Sequence, residues 1–375
     1  MKILIDMSFI RPNELTNSIP LYGFRLLQGI QELHYNDVHL LINADLEKFF
    51  QENYPQFHTT KVGIGLCRRI INWRFKDWLF DRVYRWKINH ETYDVVLTID
   101  ELKQRTTFRT NRKKVSVIHD LKDLSMTTGI KNLRSRNFYH QLIESADAIV
   151  AISEYTKQDI LSHYDVAVDK VKVIHNSIKM TETSKRPHAL VDGTKYILYV
   201  NTLSDYKNPL TLLQAFCAVK HKIEESIVLV GKVTEYWQDV LWPYIKHNSI
   251  EHRVLWLQNI TDEELKFLYD HASVFISSSQ HEGFGYTPIE AAICCCPVIC
   301  TKCEALPETT MMLLNYYEPA DDYKELANKI MEVLNSPRNT ASLLAISDKY
   351  RQKYAPKVQA SLFLSLMESL TRKGS

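Results

Sequence analysis

Short, β-branched apolar runs recur along this chain, and amphipathic segments separate them. In the first half they are Ile3–Ile5, Val38–Ile42, Asp94–Thr98, Val115–Ile118, Ala148–Ile152 and Val171–Ile174. In the second half they are Tyr196–Val200, Ile227–Val230, Val254–Leu257, Val274–Ile276, Val298–Cys300 and Met312–Leu314. Runs apolar on both faces suit parallel strands covered by helices on each side. Segments such as Leu210–Val219 and Asp262–Ala272 supply the crossover helices that parallel pairing requires. The expected class is α/β, with doubly wound parallel sheets and ligands near the carboxyl ends of strands. A chain of 375 residues exceeds one small core, so two domains of roughly 150–200 residues are expected. Polar, proline-punctuated Met180–Pro187 and Asp192-Gly193 mark the boundary. The sequence therefore predicts a first domain over 1–178, a linker over 179–194 and a second domain over 195–350. Ser342–Arg372 reads as helix broken at Pro356, and residues 351–375 are expected to cross back to the first domain.

A net charge of +2, with 45% hydrophobic and 24% charged residues, is that of an ordinary globular protein and asks for no nucleic acid. The chain enters a strand pattern at Lys2–Asp6 without a signal-like leader. No apolar run approaches the roughly 18 residues that span a membrane. Five of seven cysteines crowd into Cys294–Cys303, a poor layout for disulfides, so a reducing, cytoplasmic setting is expected. Cys296, Cys300 and Cys303 share the spacing of a three-cysteine iron–sulfur site, but Pro297-Val298-Ile299-Cys300 is a buried-strand pattern. These thiols read as small core residues. Arg68–Lys87 carries seven Lys/Arg against two Asp, interleaved with six aromatics. One reading is a helix packed on the first sheet with a solvated basic face. A second is a peripheral surface against anionic lipid at the inner face of a membrane, and a third, nucleic acid, is accompanied by no RNA- or DNA-binding module.

The chemistry concentrates in Ser278–Glu290. A buried-strand pattern leads into Glu282-Gly283-Phe284-Gly285-Tyr286-Thr287-Pro288-Ile289-Glu290, with two glutamates eight positions apart around a glycine turn. A strand–turn–helix junction aims backbone N–H groups and a helix dipole at one point, which suits phosphate. Thr287-Pro288-Ile289-Glu290 also fits a capping box with Thr287 as N-cap. Glu290 is thus either a capping residue or an acceptor for ribose hydroxyls.

The Glu282–Glu290 segment, followed by Ala291, Pro297-Val298-Ile299 and Leu306-Pro307-Glu308, resembles the donor-site signature of the retaining family-4 glycosyltransferases. Tyr199–Asn208 resembles the strand and loop that bring a lysine to the donor diphosphate. Ala146–Tyr155 and Val173–Ser177 resemble the closing strands of that family's first domain, and Val117-Ile118-His119-Asp120 its cleft-lining strand end. The resemblance implies the GT-B fold, two facing Rossmann-like domains with a cleft between them. It implies sugar transfer from a nucleotide diphosphate sugar to a hydroxyl acceptor, with retention, in polysaccharide or lipid-linked glycan assembly. It assigns catalytic roles to His119, Lys207 and Glu282. Donor contacts fall to Asn201, Thr202, Lys207, Lys232, Asn259, Ile260, Glu282, Gly283, Phe284, Gly285, Tyr286, Thr287 and Glu290. A helix N-terminus, a lysine and convergent amides would stabilise the departing diphosphate. His119 also reads as a residue capping a strand end.

The chain departs from the family pattern in two places. Asn201-Thr202 stand where the family often has Gly-Arg, which leaves Lys207 to carry more of the charge or Arg11, Lys232 or Arg253 to supply what is missing. Ser8–Asn13 and Asn17–Pro20 replace the amino-terminal glycine-rich loop. No Asp-x-Asp occurs, so neither a metal nor another cofactor is expected. Two alternatives stand beside the transferase reading: a non-catalytic partner of a transferase, and a nucleotide-sugar epimerase.

Overall fold

A computed structural model describes the chain except residues 63–72, 101–109, 111, 123, 125–127 and 373–375, with only the backbone described for 73–81. The chain divides into two units, Met1–Ser177 with Pro356–Ser375, and Ile178–Ala355. Residues 179–194 run within the second unit, where the Lys185 amide donates to the Glu263 carbonyl at 3.0 Å.

The first unit is built on seven strands: β1 (Ile3–Met7), β2 (Val38–Asn43), β3 (His58–Val62), β4 (Val95–Thr98), β5 (Lys113–Ile118), β6 (Ala148–Ala151) and β7 (Val171–Val173). They pair in parallel in the order β3-β2-β1-β4-β5-β6-β7. Central strands are buried on both faces; Ile3, Leu4, Ile5, Val95, Val96 and Leu97 are all fully enclosed. That burial explains their uninterrupted apolar spelling. Strand β3 is missed by the apolar pattern because His58-Thr59-Thr60-Lys61-Val62 lies at the sheet edge, with only Val62 buried. Helix Ser18–Glu32 packs against the carboxyl-terminal helix Pro356–Arg372. A Cβ at Gly29 would stand 2.1 Å from the Pro356 carbonyl oxygen, so the close crossing needs glycine there. Buried Ser177 donates to Gln359 at 2.7 Å and ties the terminal helix to the end of the β7 exit.

The second unit has six strands: β8 (Tyr196–Val200), β9 (Ser226–Val230), β10 (Val254–Leu257), β11 (Val274–Ser277), β12 (Val298–Thr301) and β13 (Asn315–Tyr317). All pair in parallel, in the order β10-β9-β8-β11-β12-β13. The expected strand at Met312–Leu314 is displaced. Met311 and Met312 have φ of 51° and 52°, left-handed turn geometry that no strand accommodates, so pairing starts at Asn315. Each sheet reverses its winding once, between β1 and β4 and between β8 and β11. Such switch points open a crevice at the carboxyl ends of the two central strands.

Candidate active site

Because β8 and β11 are hydrogen-bonded neighbours, their exit loops meet at the switch point although about 80 residues separate them. The β8 exit carries Asn201, Thr202 and a short 3-10 turn, Asp205–Lys207. The β11 exit carries Ser278 to Gly285. Lys207 Nζ reaches Glu282 Oε1 at 2.6 Å and donates to the His281 carbonyl at 3.1 Å. The same Glu282 oxygen accepts from Ser279 Oγ at 2.8 Å and from Asn201 Nδ2 at 3.3 Å. Glu282 Oε2 has no hydrogen-bond partner among the described residues. The side chains of Lys207 and Glu282 are 13% and 12% exposed, enough for a ligand and little enough to strengthen the pairing.

Hydrogen bonds to backbone hold the lysine loop in place. Tyr199 OH donates to the Lys207 carbonyl at 2.9 Å, Ser278 Oγ to the Asn208 carbonyl at 2.7 Å, and the Gln280 amide to the Tyr206 carbonyl at 3.0 Å. Asn208 takes a left-handed conformation (φ 54°) and ends the turn, after which Pro209 opens helix Pro209–Val219. Gly231, at the β9 exit, admits the Asn201 carbonyl so closely that a Cβ would stand 1.9 Å from its oxygen. Thr202 is exposed, and its amide donates to Asn201 Oδ1 at 2.9 Å.

Helix Tyr286–Ile293 begins at Gly285, which is its N-cap at φ 84°. The capping-box alternative therefore drops out: Thr287 lies inside the helix, and no side chain caps its start. Glu290 is 8% exposed on the buried side of this helix, with Tyr269 OH at 3.4 Å from Oε2. Phe284 is buried edge-on against Tyr286 and Tyr354, at centroid distances of 5.2 and 5.3 Å. Its carbonyl accepts from Thr309 Oγ1 at 2.6 Å. The ring thus anchors the turn, and the backbone between Gly283 and Tyr286 forms the helix entrance.

The remaining sites expected from sequence divide by position. Lys232 follows the β9 exit, and Asn259 (φ 55°) and Ile260 follow the β10 exit, at the same sheet end as Lys207. Arg253 does not replace the absent arginine. It precedes β10, at the opposite sheet end, where it stacks on Phe216 at 4.9 Å and donates to the Ile223 carbonyl at 2.9 Å.

In the first unit His119 follows β5, and its Nε2 pairs with the Ile99 carbonyl at 2.9 Å. Tyr22 packs edge-on against the ring at 5.0 Å. Burial lowers the pKa of His119 despite Ile99, Asp100 and Asp120. The ring is therefore neutral near pH 7, and a proton on Nε2 makes Nδ1 the acceptor. Sequence reasoning missed Asp6, fully buried in β1, where it accepts from Ser8 Oγ at 2.6 Å and from Tyr84 OH. Burial raises its pKa.

Cys296 and Cys300 are buried free thiols, and burial raises the pKa of both; Cys303 is pushed up to about 12. No group of three or more potential metal ligands occurs among the described residues. The basic aromatic stretch falls in helix Trp73–His90, and 68–72 lie outside the described residues. Of its described side chains, Tyr84 and Ile88 pack on the first sheet with Leu4, Leu41 and Val96, while Arg82, Arg85 and Trp86 are exposed. No described helix is long and apolar enough to cross a membrane.

Two units of this kind, each built on a parallel doubly wound sheet, define a GT-B protein. Residues 180–356 match the family of glycosyl transferases group 1, and residues 24–182 match Glycosyltransferase Family 4. The chain belongs to the family-4-like glycosyltransferases. It is 26% identical over 178 residues to O-antigen chain mannosyltransferase B of Escherichia coli, covering 45% of this chain and 47% of that protein. The chain thus spans about half the length of that relative. Among solved structures, sucrose-phosphate synthase from Thermosynechococcus elongatus superposes with a TM-score of 0.75 at 18% identity, covering 100% of both chains. Anabaena HepE, solved with UDP and glucose, superposes with a TM-score of 0.72 at 16% identity, covering 98% of this chain and 100% of HepE.

Proposed function

We propose that this protein transfers a hexosyl group from a nucleoside diphosphate sugar to a hydroxyl acceptor during glycan assembly. The observation that carries the reading is the Lys207–Glu282 pair, at 2.6 Å beside the helix start at Gly285. Breaking the bond between the anomeric carbon and the diphosphate leaves negative charge on the diphosphate. Lys207 has three N–H donors, two engaged by Glu282 and the His281 carbonyl, and the third is available to a phosphate oxygen. The amides from Gly283 to Tyr286 and the dipole of the following helix add to that stabilisation. Glu282 Oε2 accepts from sugar hydroxyls, and Glu290 accepts from ribose. Lys232, Asn259 and Ile260 meet the base and outer phosphate, while Asn201 and Thr202 complete the lysine loop. His119 orients the reacting sugar as a neutral imidazole. Charge stabilisation from lysine and amides supports a metal-independent transfer, with retention as in the family.

The O-antigen mannosyltransferase relative supports a glycan acceptor, here a lipid-linked oligosaccharide. Exposed Arg82, Arg85 and Trp86 support contact with anionic lipid at the cytoplasmic face of a membrane. Calorimetric titration with UDP, GDP, ADP and dTDP and their hexose conjugates tests the reading. Micromolar binding of one nucleotide series, lost in Glu290→Ala, is expected. No binding to any of them contradicts the proposal.

A further inference from the structure

We infer that Glu304 is a positioning residue that sets the reactive geometry of Glu282, an inference that rests on the proposed transferase reading. Glu304 follows β12, the neighbour of β11 on the side away from β8. Its carboxylate divides between two partners in the adjoining loop. Oε2 accepts the Glu282 backbone amide at 2.7 Å, and Oε1 pairs with His281 Nδ1 at 2.7 Å. The Ala305 amide then donates to the Glu282 carbonyl at 3.3 Å, and Thr301 Oγ1 to the Ser279 carbonyl at 2.7 Å. The loop bearing Glu282 is therefore held from both sides. Lys207, Asn201 and Ser279 grip one carboxylate oxygen, while Glu304 fixes the backbone behind it.

The backbone at Glu304 supports a functional purpose for this carboxylate. Its φ is 45°, a left-handed conformation that glycine adopts freely and a glutamate adopts only against strain. Local strain of this sort persists where the surroundings over-determine it, and it concentrates at ligand sites. A purely structural position would gain by being glycine. Glutamate here keeps the strain and supplies two charge-assisted hydrogen bonds to His281 and Glu282. Because Oε1 of Glu282 is occupied, a small rotation of its backbone would move Oε2 away from the sugar. A misplacement on that scale lowers turnover more than affinity for the nucleotide.

The test uses the full chain and two variants, Glu304→Gly and Glu304→Gln. UDP-glucose and GDP-mannose are the probes, and donor cleavage by water is the reaction followed. Water oxygen bonds to the anomeric carbon, the bond to the diphosphate breaks, and the water proton passes to the buffer. Glu304→Gly is expected to match or exceed the parent in Tm, because it relieves the left-handed strain. It should keep its Kd for UDP or GDP within about twofold and lose about 10- to 100-fold in kcat. Glu304→Gln, which retains an acceptor for the Glu282 amide, should recover part of that loss. Parental kcat and KM in Glu304→Gly overturn the inference and leave the transferase reading standing. A lower Tm with weakened UDP or GDP binding also overturns it, since that is the signature of a merely structural carboxylate. A parent chain that binds none of UDP, GDP, ADP and dTDP and cleaves none of their hexose conjugates removes the transferase reading, and the inference falls with it.

Discussion

Lys207 and Glu282 form a partly buried ion pair that also hydrogen-bonds with Ser279, Asn201 and the His281 carbonyl. Removing one member leaves the other charge enclosed without its partner. Lys207→Met or Glu282→Gln alone should therefore cost on the order of 2 kcal/mol, measured by urea unfolding. The double variant should regain most of that stability, because no lone charge remains. Gly285→Ala tests the turn between the glutamates. At φ 84° a side chain is strained, and its Cβ would meet Leu306 Cδ2 at 2.2 Å. A loss of about 1–3 kcal/mol is expected, together with weaker nucleotide binding. Glu282 stood out in the sequence because it precedes a glycine turn at a strand exit, whereas Lys207 was singled out only through the family resemblance of Tyr199–Asn208. Ser279 and Glu304 were not legible. Their roles arise from which loops the strand order brings together, and a serine or glutamate in a loop carries no mark of that.

Most strands could be read from the chain because central parallel strands are apolar on both faces. The exceptions have local causes: β3 is a polar edge, and left-handed residues delay β13. One element hides a titratable group that the apolar pattern passes over. Lys114 in β5 is fully enclosed, with Nζ on Ser145 Oγ at 2.9 Å. Burial lowers its pKa from 10.5 to about 7, with Asp147 acting in the opposite direction. Between those two values the folded lysine is neutral and the unfolded one charged, so unfolding takes up a proton. Stability should therefore rise with pH across that window, and the cost of burial should be complete below about pH 7. Lys114→Met should flatten this slope and raise Tm most at or below pH 7, as thermal unfolding at pH 6.5 and pH 9 would show. An equal pH slope in the variant would exclude Lys114 as its source.

At the scale of the molecule, the first unit is completed by the chain's last helix, Pro356–Arg372. Its Phe363 and Met367 are fully buried and Leu364 nearly so, and burying such side chains contributes about 1.5–3 kcal/mol each. A chain ended at Ala355 should lose the thermal transition of the first unit and keep that of the second, with UDP or GDP affinity within about twofold. Loss of both transitions would show that the two units unfold together. The two-domain plan was legible from alternation and length, while most of the candidate site was named through the family resemblance and not from the residue pattern. The pairing of Pro356–Arg372 with Ser18–Glu32 depends on one small residue, Gly29, whose purpose emerges only when the helices cross. The central claim is that the Lys207–Glu282 pair drives donor cleavage, and steady-state turnover of UDP-glucose and GDP-mannose by Lys207→Met/Glu282→Gln tests it most directly. The expected result is a folded protein of near-parental stability that turns over the parent's donor at less than about 1% of the parental rate; turnover at the parental rate would contradict it.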